Sequence, residues 1–198
     1  MFRASRFVRD YARTREPITV DVIYHIHKII FEEAWPEIAG VIRHENISRI
    51  TGSDHIPPPH QHVAELMEKV DARMAEYTTS LEEASANGWI SETGNESEER
   101  LHIMAEVLNF AAYVHHTITY IHPFREGNGR TARLAANLVL ERYGLPGISI
   151  KIERENKNRY CNALAQIDKH EDYEPLLDLI AEGIIERVNG ALLKLRKQ

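Results

Sequence analysis

The chain has 198 residues, 43% hydrophobic and 27% charged, which is enough for one domain with a sizeable core and too few for two comfortable ones. Thirty acidic residues against 24 basic ones give a net charge of -6, arguing against a protein whose main task is to coat nucleic acid, since that binding rests on phosphate neutralisation by Lys and Arg. One cysteine, Cys161, excludes an internal disulfide framework and a multi-cysteine metal site and points to the cytoplasm, and no run approaches the roughly 20 apolar residues that span a bilayer.

Residues 1–17 read as an N-terminal basic arm or short surface helix. Five arginines lie there, but Asp10 and the lack of serine enrichment count against an organelle transit segment. From Val20 to Phe31, Val22, Ile23, Ile26, Ile29 and Ile30 recur at the three-and-four spacing of one helical face, with Thr19 placed as N-cap. The next stretch, with β-compatible residues from Ile47 to Thr51, then Gly52-Ser53-Asp54 and a triple proline, predicts a small β-hairpin. A second helix is expected from Val63 to Met74. The polar, acidic run 85–100 around Trp89 reads as an exposed insertion. A third, very apolar helix is expected from about Glu99 to Tyr120, built on Leu101, Met104, Val107, Leu108, Ala111, Ala112, Val114 and Ile118. A fourth runs from Arg130 to about Tyr143 and is stopped by Gly144-Leu145-Pro146-Gly147. Two more span Asn156 to Ile167 and Pro175 to Leu195, the last with Leu176, Leu177, Ile180, Ile184 and Val188 facing the core. The fold class is therefore all-α with one small hairpin.

The segment from Ile121 to Arg133 joins two apolar helices through a histidine, a carboxylate, a Gly-Asn-Gly turn and two arginines. Gly127 and Gly129 permit positive φ and close approach of backbone to a ligand. Successive N–H groups in such a turn, followed by a helix N-terminus, form a concave site for phosphate oxygens. Arg130 and Arg133, three apart, add guanidinium forks on one helical face. Glu126 stands among these positive groups as a carboxylate suited to a hard cation such as Mg2+. His122 precedes it by four residues and can accept a hydroxyl proton near neutral pH. Taken singly, each feature has a plainer explanation: a helix-end histidine is usually structural, a glycine-rich turn usually only a turn. A packing explanation does not need all of them together. Neither a P-loop nor a strand-borne G-x-G-x-x-G is present.

This stretch resembles the signature of the Fic family, H-P-F-x-(D/E)-G-N-G-R-x-x-R, at every specified position, and looser likeness extends from about Ile18 to Ile185. The Ala39-to-Arg43 turn, the His55-Ile56-Pro57-Pro58 segment and the region from Tyr160 to Pro175 also look like family features. The resemblance implies a Fic-type catalytic domain over 18–198 that transfers AMP from ATP to a Ser, Thr or Tyr hydroxyl of a protein. It implies His122 as general base, Glu126 as Mg2+ ligand, and Gly127, Asn128 and Gly129 as phosphate cradle. Arg130, Thr131 and Arg133 join the nucleotide site, Phe124 anchors the loop, and Tyr160 packs near the adenine beside Cys161. Asp168 is a candidate for contacting the base. Gly52, Ser53, Asp54, His55 and Ile56 would be a flap on which the target protein docks by strand addition. In Doc-like relatives a Lys replaces the second glycine of the turn and the enzyme is a kinase; Gly129 here favours attack at the α-phosphorus. Transfer of UMP or phosphocholine uses the same base and metal, and a non-catalytic binding module is the alternative from another class.

Many relatives carry an inhibitory helix, (S/T)-x-x-x-E-(G/N), whose Glu pairs with the second arginine. Glu45, Glu155 and Glu182 are followed by Gly or Asn, but Val41, Lys151 and Asp178 stand four residues earlier, so none fits; Asp178 to Gly183 is a near miss. The chain is therefore expected to be uninhibited or restrained by a separate antitoxin-like partner. The pairs His25/His27, His60/His62 and His115/His116, with no H-E-x-x-H and no cysteine cluster, read as satisfied or solvated histidines rather than a zinc site.

Overall fold

A computed structural model describes residues 2–14, 16–50, 53–88, 96–148 and 154–195. Among them are seven helices: α1 (Phe2–Ala12), α2 (Val20–Phe31), α3 (Val63–Gly88), α4 (Glu96–Ile121), α5 (Asn128–Arg142), α6 (Arg154–His170) and α7 (Glu174–Leu195). The site is set by the central pair. α4 is buried nearly all round from Phe110 to Ile121, as a helix without a polar face must be. α5 lies against it with Ala132, Ala135 and Ala136, whose small side chains let the two backbones approach. A short loop joins them, making them antiparallel neighbours. α3 and α7 flank α4, while α1 and α2 flank α5. None of the helices is long and apolar enough to cross a membrane.

The basic N-terminal segment is a helix packed into the same core, burying Ala4, Val8 and Ala12 at four-residue spacing. Arg142 of α5 caps it from outside, donating to the carbonyls of Ala12, Tyr11 and Glu16 at 3.0, 3.1 and 2.8 Å. Thr19 does occupy the N-cap of α2, but its hydroxyl makes no cap bond. The Asp71 carboxylate reaches across from α3 and takes the Val20 N–H at 2.7 Å instead. α3 runs well past Met74, because Tyr77, Leu81 and Ala84 continue its apolar stripe. The expected insertion therefore shrinks: 85–88 end α3, 96–100 begin α4, and Trp89 to Asn95 lie outside the described residues. Leu101 and Met104, assigned to the core from spacing, are exposed, and Ile103 and Phe110 take that place. Val188 of α7 likewise faces solvent.

The β-hairpin is not seen. Among the described residues the only β-pairing is an antiparallel bridge between Ile42 and Phe124, backed by the Arg43 N–H to Pro123 O at 2.9 Å. Gly52 and Thr51, the expected turn, lie outside the described residues. The physical reason is a shortage of partners. A lone two-stranded ribbon is marginal in water, and Pro57, Pro58 and Pro59 have no N–H to give a ladder. The loop is tied instead by side chains: the Asn46 amide oxygen accepts the His60 N–H at 2.8 Å, and Arg43 holds both its ends.

Candidate active site

The loop 122–127 is shaped by a reversal at the end of α4. His122 still donates its N–H to Ile118 O at 3.0 Å, but its own φ is +49°, which turns the chain out of the helix. That conformation is held from two sides. The Arg43 Nε donates to His122 O at 2.7 Å, and the imidazole Nδ1 meets Thr119 O at 2.6 Å. A carbonyl only accepts, so Nδ1 carries the proton and Nε2 keeps its lone pair. Burial, helped by the positive charge of Arg43, pulls the His122 pKa below 6.5 against the opposing pull of Thr119 and Glu126. The ring is thus a neutral base at neutral pH.

Beyond His122, Phe124 is fully buried, stacked on His27 with ring centroids 3.8 Å apart, as expected of an anchor. The Asn128 side chain braces the loop from inside: its Oδ1 accepts the Phe124 N–H at 2.9 Å and its Nδ2 donates to Phe124 O at 2.8 Å. Only its backbone is left for a ligand. His27 ties the far side, accepting the Gly40 N–H on Nδ1 and donating from Nε2 to Glu126 O, both at 2.9 Å. With both nitrogens used by the neutral ring, burial lowers its pKa to about 4. Gly127 has φ +80°, and a Cβ there would sit 2.3 Å from the Phe31 ring. Thr131 is fully buried and gives its hydroxyl to Gly127 O at 3.1 Å, so it supports the turn and does not line the cavity. The N–H groups of Asn128, Gly129 and Arg130, in the first turn of α5, have no intrahelical acceptor and form an anion-seeking mouth.

That mouth opens on a cavity of about 380 Å³ lined by Arg49, His122, Arg125, Glu126, the Gly127–Gly129 backbone, Arg130 and Arg133. A second cavity of about 220 Å³ adjoins it, sharing Ile50, His122, Gly129 and Arg133 and continuing past Tyr160, Cys161, Leu164 and Asp168. The first is strongly cationic and the second mainly apolar. Arg130 lies over the Phe31 ring at 4.8 Å with Nη2 4.0 Å from Glu126, and Arg125 lies over Trp35 at 5.2 Å. Arg133 has no carboxylate within 4.0 Å among the described residues. A half-buried guanidinium without a counterion favours an anionic ligand.

Glu126 projects its carboxylate into the cationic cavity with Oε1 accepting the Gly127 N–H at 3.0 Å. No group of three or more His, Cys, Asp or Glu able to hold a metal exists among the described residues. Mg2+ fits such a site when phosphates and water supply the remaining oxygens, because it commonly takes only one or two protein carboxylates.

Of the segment expected to dock a target, Ser53 and His55 line the smaller cavity, whereas Asp54 and Ile56 are exposed and Gly52 lies outside the described residues. His55 places one nitrogen 2.7 Å from Tyr120 O and the other 3.7 Å from Asp168. Asp168 also takes the His116 Nε2–H at 2.8 Å, so this carboxylate already serves two imidazoles. Glu182, the near miss for an inhibitor, is gripped by Arg159 at 2.6 and 2.7 Å on the surface and makes no contact with Arg133. Arg43 and His27 were not singled out as site residues from sequence. Arg43 is 4% exposed and donates to the carbonyls of His122, Ile121, Glu45 and Pro58, fastening the loop before α3 to the loop after α4. Backbone carbonyls leave no side-chain signature, so nothing in the sequence could have named those partners.

A half-buried left-handed histidine, a helix mouth and paired arginines surround one loop, and the family comparison bears on that arrangement. The Fic/DOC family model matches residues 17–140, and the chain belongs to that family. It is 32% identical over 166 residues to a protein adenylyltransferase Fic of Nematostella vectensis, covering 84% of this chain and 32% of the relative. A protein adenylyltransferase Fic of Drosophila persimilis is 27% identical over 165 residues, covering 83% of this chain and 27% of the relative. The chain thus spans about a third of the length of these curated relatives. A solved segment of Fic-1 from C. elegans superposes with a TM-score of 0.67 at 25% identity, covering 96% of this chain and 49% of that one.

Proposed function

We propose that the chain is a protein adenylyltransferase, moving AMP from ATP to a Ser, Thr or Tyr hydroxyl of a target protein. The observation that carries this reading is the unprotonated His122 Nε2 at the junction of a cationic and an apolar cavity that share Gly129 and Arg133. The names of the curated relatives support it. Adenine fits the apolar cavity beside Cys161 and Leu164, and the phosphates fit the cationic one, on the free N–H groups of α5 and the guanidinium groups of Arg130 and Arg133. Glu126 is the residue that would hold Mg2+, which when bound neutralises phosphate charge. In the reaction His122 Nε2 takes the proton of the acceptor hydroxyl. The hydroxyl oxygen bonds to the α-phosphorus, the bond from that phosphorus to the bridging oxygen breaks, and pyrophosphate leaves with the electron pair. Gly129, having no side chain, leaves room for the phosphates.

The target approaches over the loop around Ser53 to Ile56, where Ile56 is 70% exposed. Restraint by a separate antitoxin-like chain suits a site in which Arg133 meets no carboxylate among the described residues. The single, half-buried Cys161 suits the reducing cytoplasm. The test is incubation of the purified chain and a cell extract with ATP labelled at the α or the γ position. Label entering protein from the α position alone is the expected result. Transfer from the γ position alone means a kinase, and nucleotide binding without transfer means a binding module.

A further inference from the structure

Two adjacent α4 histidines are buried, and the reaction proposed above uses neither. His116 gives its Nε2–H to Asp168, although its Nδ1, like that of His115, has no hydrogen-bond partner among the described residues. His115 is fully buried, and its Nε2 lies 3.3 Å from the Tyr160 hydroxyl, with the two rings edge to face at 5.6 Å. Tyr160 is itself only 7% exposed, so little of its ring is offered to a base. The same residue and Arg133 line one cavity, where the guanidinium favours the ionised phenol and the phenol favours the charged guanidinium. Arg133 in turn points toward the cradle: a Cβ on Gly129 would lie 3.4 Å from its Nη1.

The direction of each bond follows from the groups. A guanidinium only donates, so the Tyr160 oxygen can face Arg133 only as an acceptor, and its own proton then goes to His115 Nε2. That assignment requires Nε2 to be bare and Nδ1 to carry the hydrogen; Nδ1 is buried and has no hydrogen-bond partner among the described residues. An orphaned buried N–H is costly. Burial, reinforced by the positive charge of Arg133, pulls the His115 pKa to about 3, so the ring stays a neutral acceptor.

We propose that Tyr160 and His115 are positioning residues: the chain from Arg133 N–H to Tyr160 O–H to His115 Nε2 aims the guanidinium at the phosphate tail of the nucleotide. This rests on the nucleotide reading above. It replaces the expectation that Tyr160 serves the adenine, and it accounts for how Arg133 is held where no carboxylate among the described residues holds it.

Calorimetric titration of the full chain with MgATP and, separately, with adenosine tests the idea. Tyr160→Phe keeps the ring and removes only the hydroxyl. It should weaken MgATP binding by about 10-fold and leave adenosine binding within about 2-fold, because adenosine has no phosphate for Arg133 to grip. In an Arg133→Lys background the same change should add less than about 2-fold, since no guanidinium remains to be aimed. His115→Gln, which retains an acceptor, should stay close to wild type, whereas His115→Leu should resemble Tyr160→Phe. Equal loss of MgATP and adenosine binding in Tyr160→Phe would assign Tyr160 to the adenine wall and overturn the inference. Unchanged MgATP binding overturns it too, with the nucleotide reading intact. Failure of the wild type to bind either ligand would remove the nucleotide reading itself and this inference with it.

Discussion

Replacing Gly129 by alanine separates what the fold needs from what a ligand needs. Gly129 is the second residue of α5, and its new Cβ would approach nothing closer than 3.4 Å, an ordinary contact with Arg133 Nη1. The folded protein should accept it, and the loss of glycine freedom in the unfolded chain should stabilise by about 0.4–1 kcal/mol, or roughly 1–4 °C in Tm. The added methyl, however, fills the cradle where phosphate oxygens would meet the N–H groups of the first turn. Losing two charge-assisted hydrogen bonds at about 1.5–3 kcal/mol each lowers MgATP affinity at least ~100-fold. Gly127 makes the opposite case. Alanine there combines a left-handed backbone, costing about 1–2 kcal/mol, with a methyl 2.3 Å from the Phe31 ring, costing about 1–3 kcal/mol more. Gly127→Ala should therefore lose stability first. Thermal denaturation and calorimetric titration on the same samples read both quantities. Wild-type MgATP affinity in Gly129→Ala, or a Tm loss as large as that of Gly127→Ala, would refute the assignment of Gly129 to a phosphate cradle.

Arg43→Met should cost about 3–5 kcal/mol in urea unfolding, because the buried carbonyls of Ile121, His122 and Pro58 lose their donor; a cost under about 1 kcal/mol contradicts the fastening role. His27 and His115 have folded pKa values near 4 and 3, below the ordinary 6.5, so as pH falls the unfolded chain takes up protons first. Their stability contribution is complete above about pH 6.5 and is lost toward pH 4 and 3, amounting to roughly 4 kcal/mol together at about pH 5; a urea midpoint unchanged between neutral pH and about pH 5 contradicts this. Glu182→Gly should leave transfer activity within about 2-fold of wild type, since its partner is the exposed Arg159; a rise of about 10-fold or more would identify Glu182 as a brake.

The central helix pair was legible because two signals coincide: apolar spacing on both sides and the Gly-Asn-Gly turn between them. The start of α5 was placed two residues late, at Arg130, because Asn128 and Gly129 are poor helix residues; Asn128 spends its amide on Phe124, which turn chemistry alone does not foretell. α3 was cut short at Met74 because a Glu-, Ser- and Ala-rich run looks like a solvated insertion, although Tyr77, Leu81 and Ala84 keep the stripe going. The hairpin fails because β-compatible residues from Ile47 to Thr51 ahead of a turn suggest strand pairing, whereas Arg43 and Asn46 tie that loop through backbone groups. In the site, the roles expected of His122, Gly127 and Arg133 rest on residue chemistry at a fixed spacing. The left-handed backbone of His122 and the buried partners Arg43, His27 and His115 depend on contacts between distant segments, which periodicity cannot reach.

The most direct measurement is the single-turnover rate of AMP transfer by wild type and His122→Ala at saturating MgATP, with nucleotide affinity determined on both proteins. Loss of at least ~100-fold in rate, with affinity held within about 3-fold, is the expected outcome for an imidazole that accepts the hydroxyl proton. A His122→Ala protein that transfers AMP at the wild-type rate, or that loses rate only because it no longer binds nucleotide, would contradict the account.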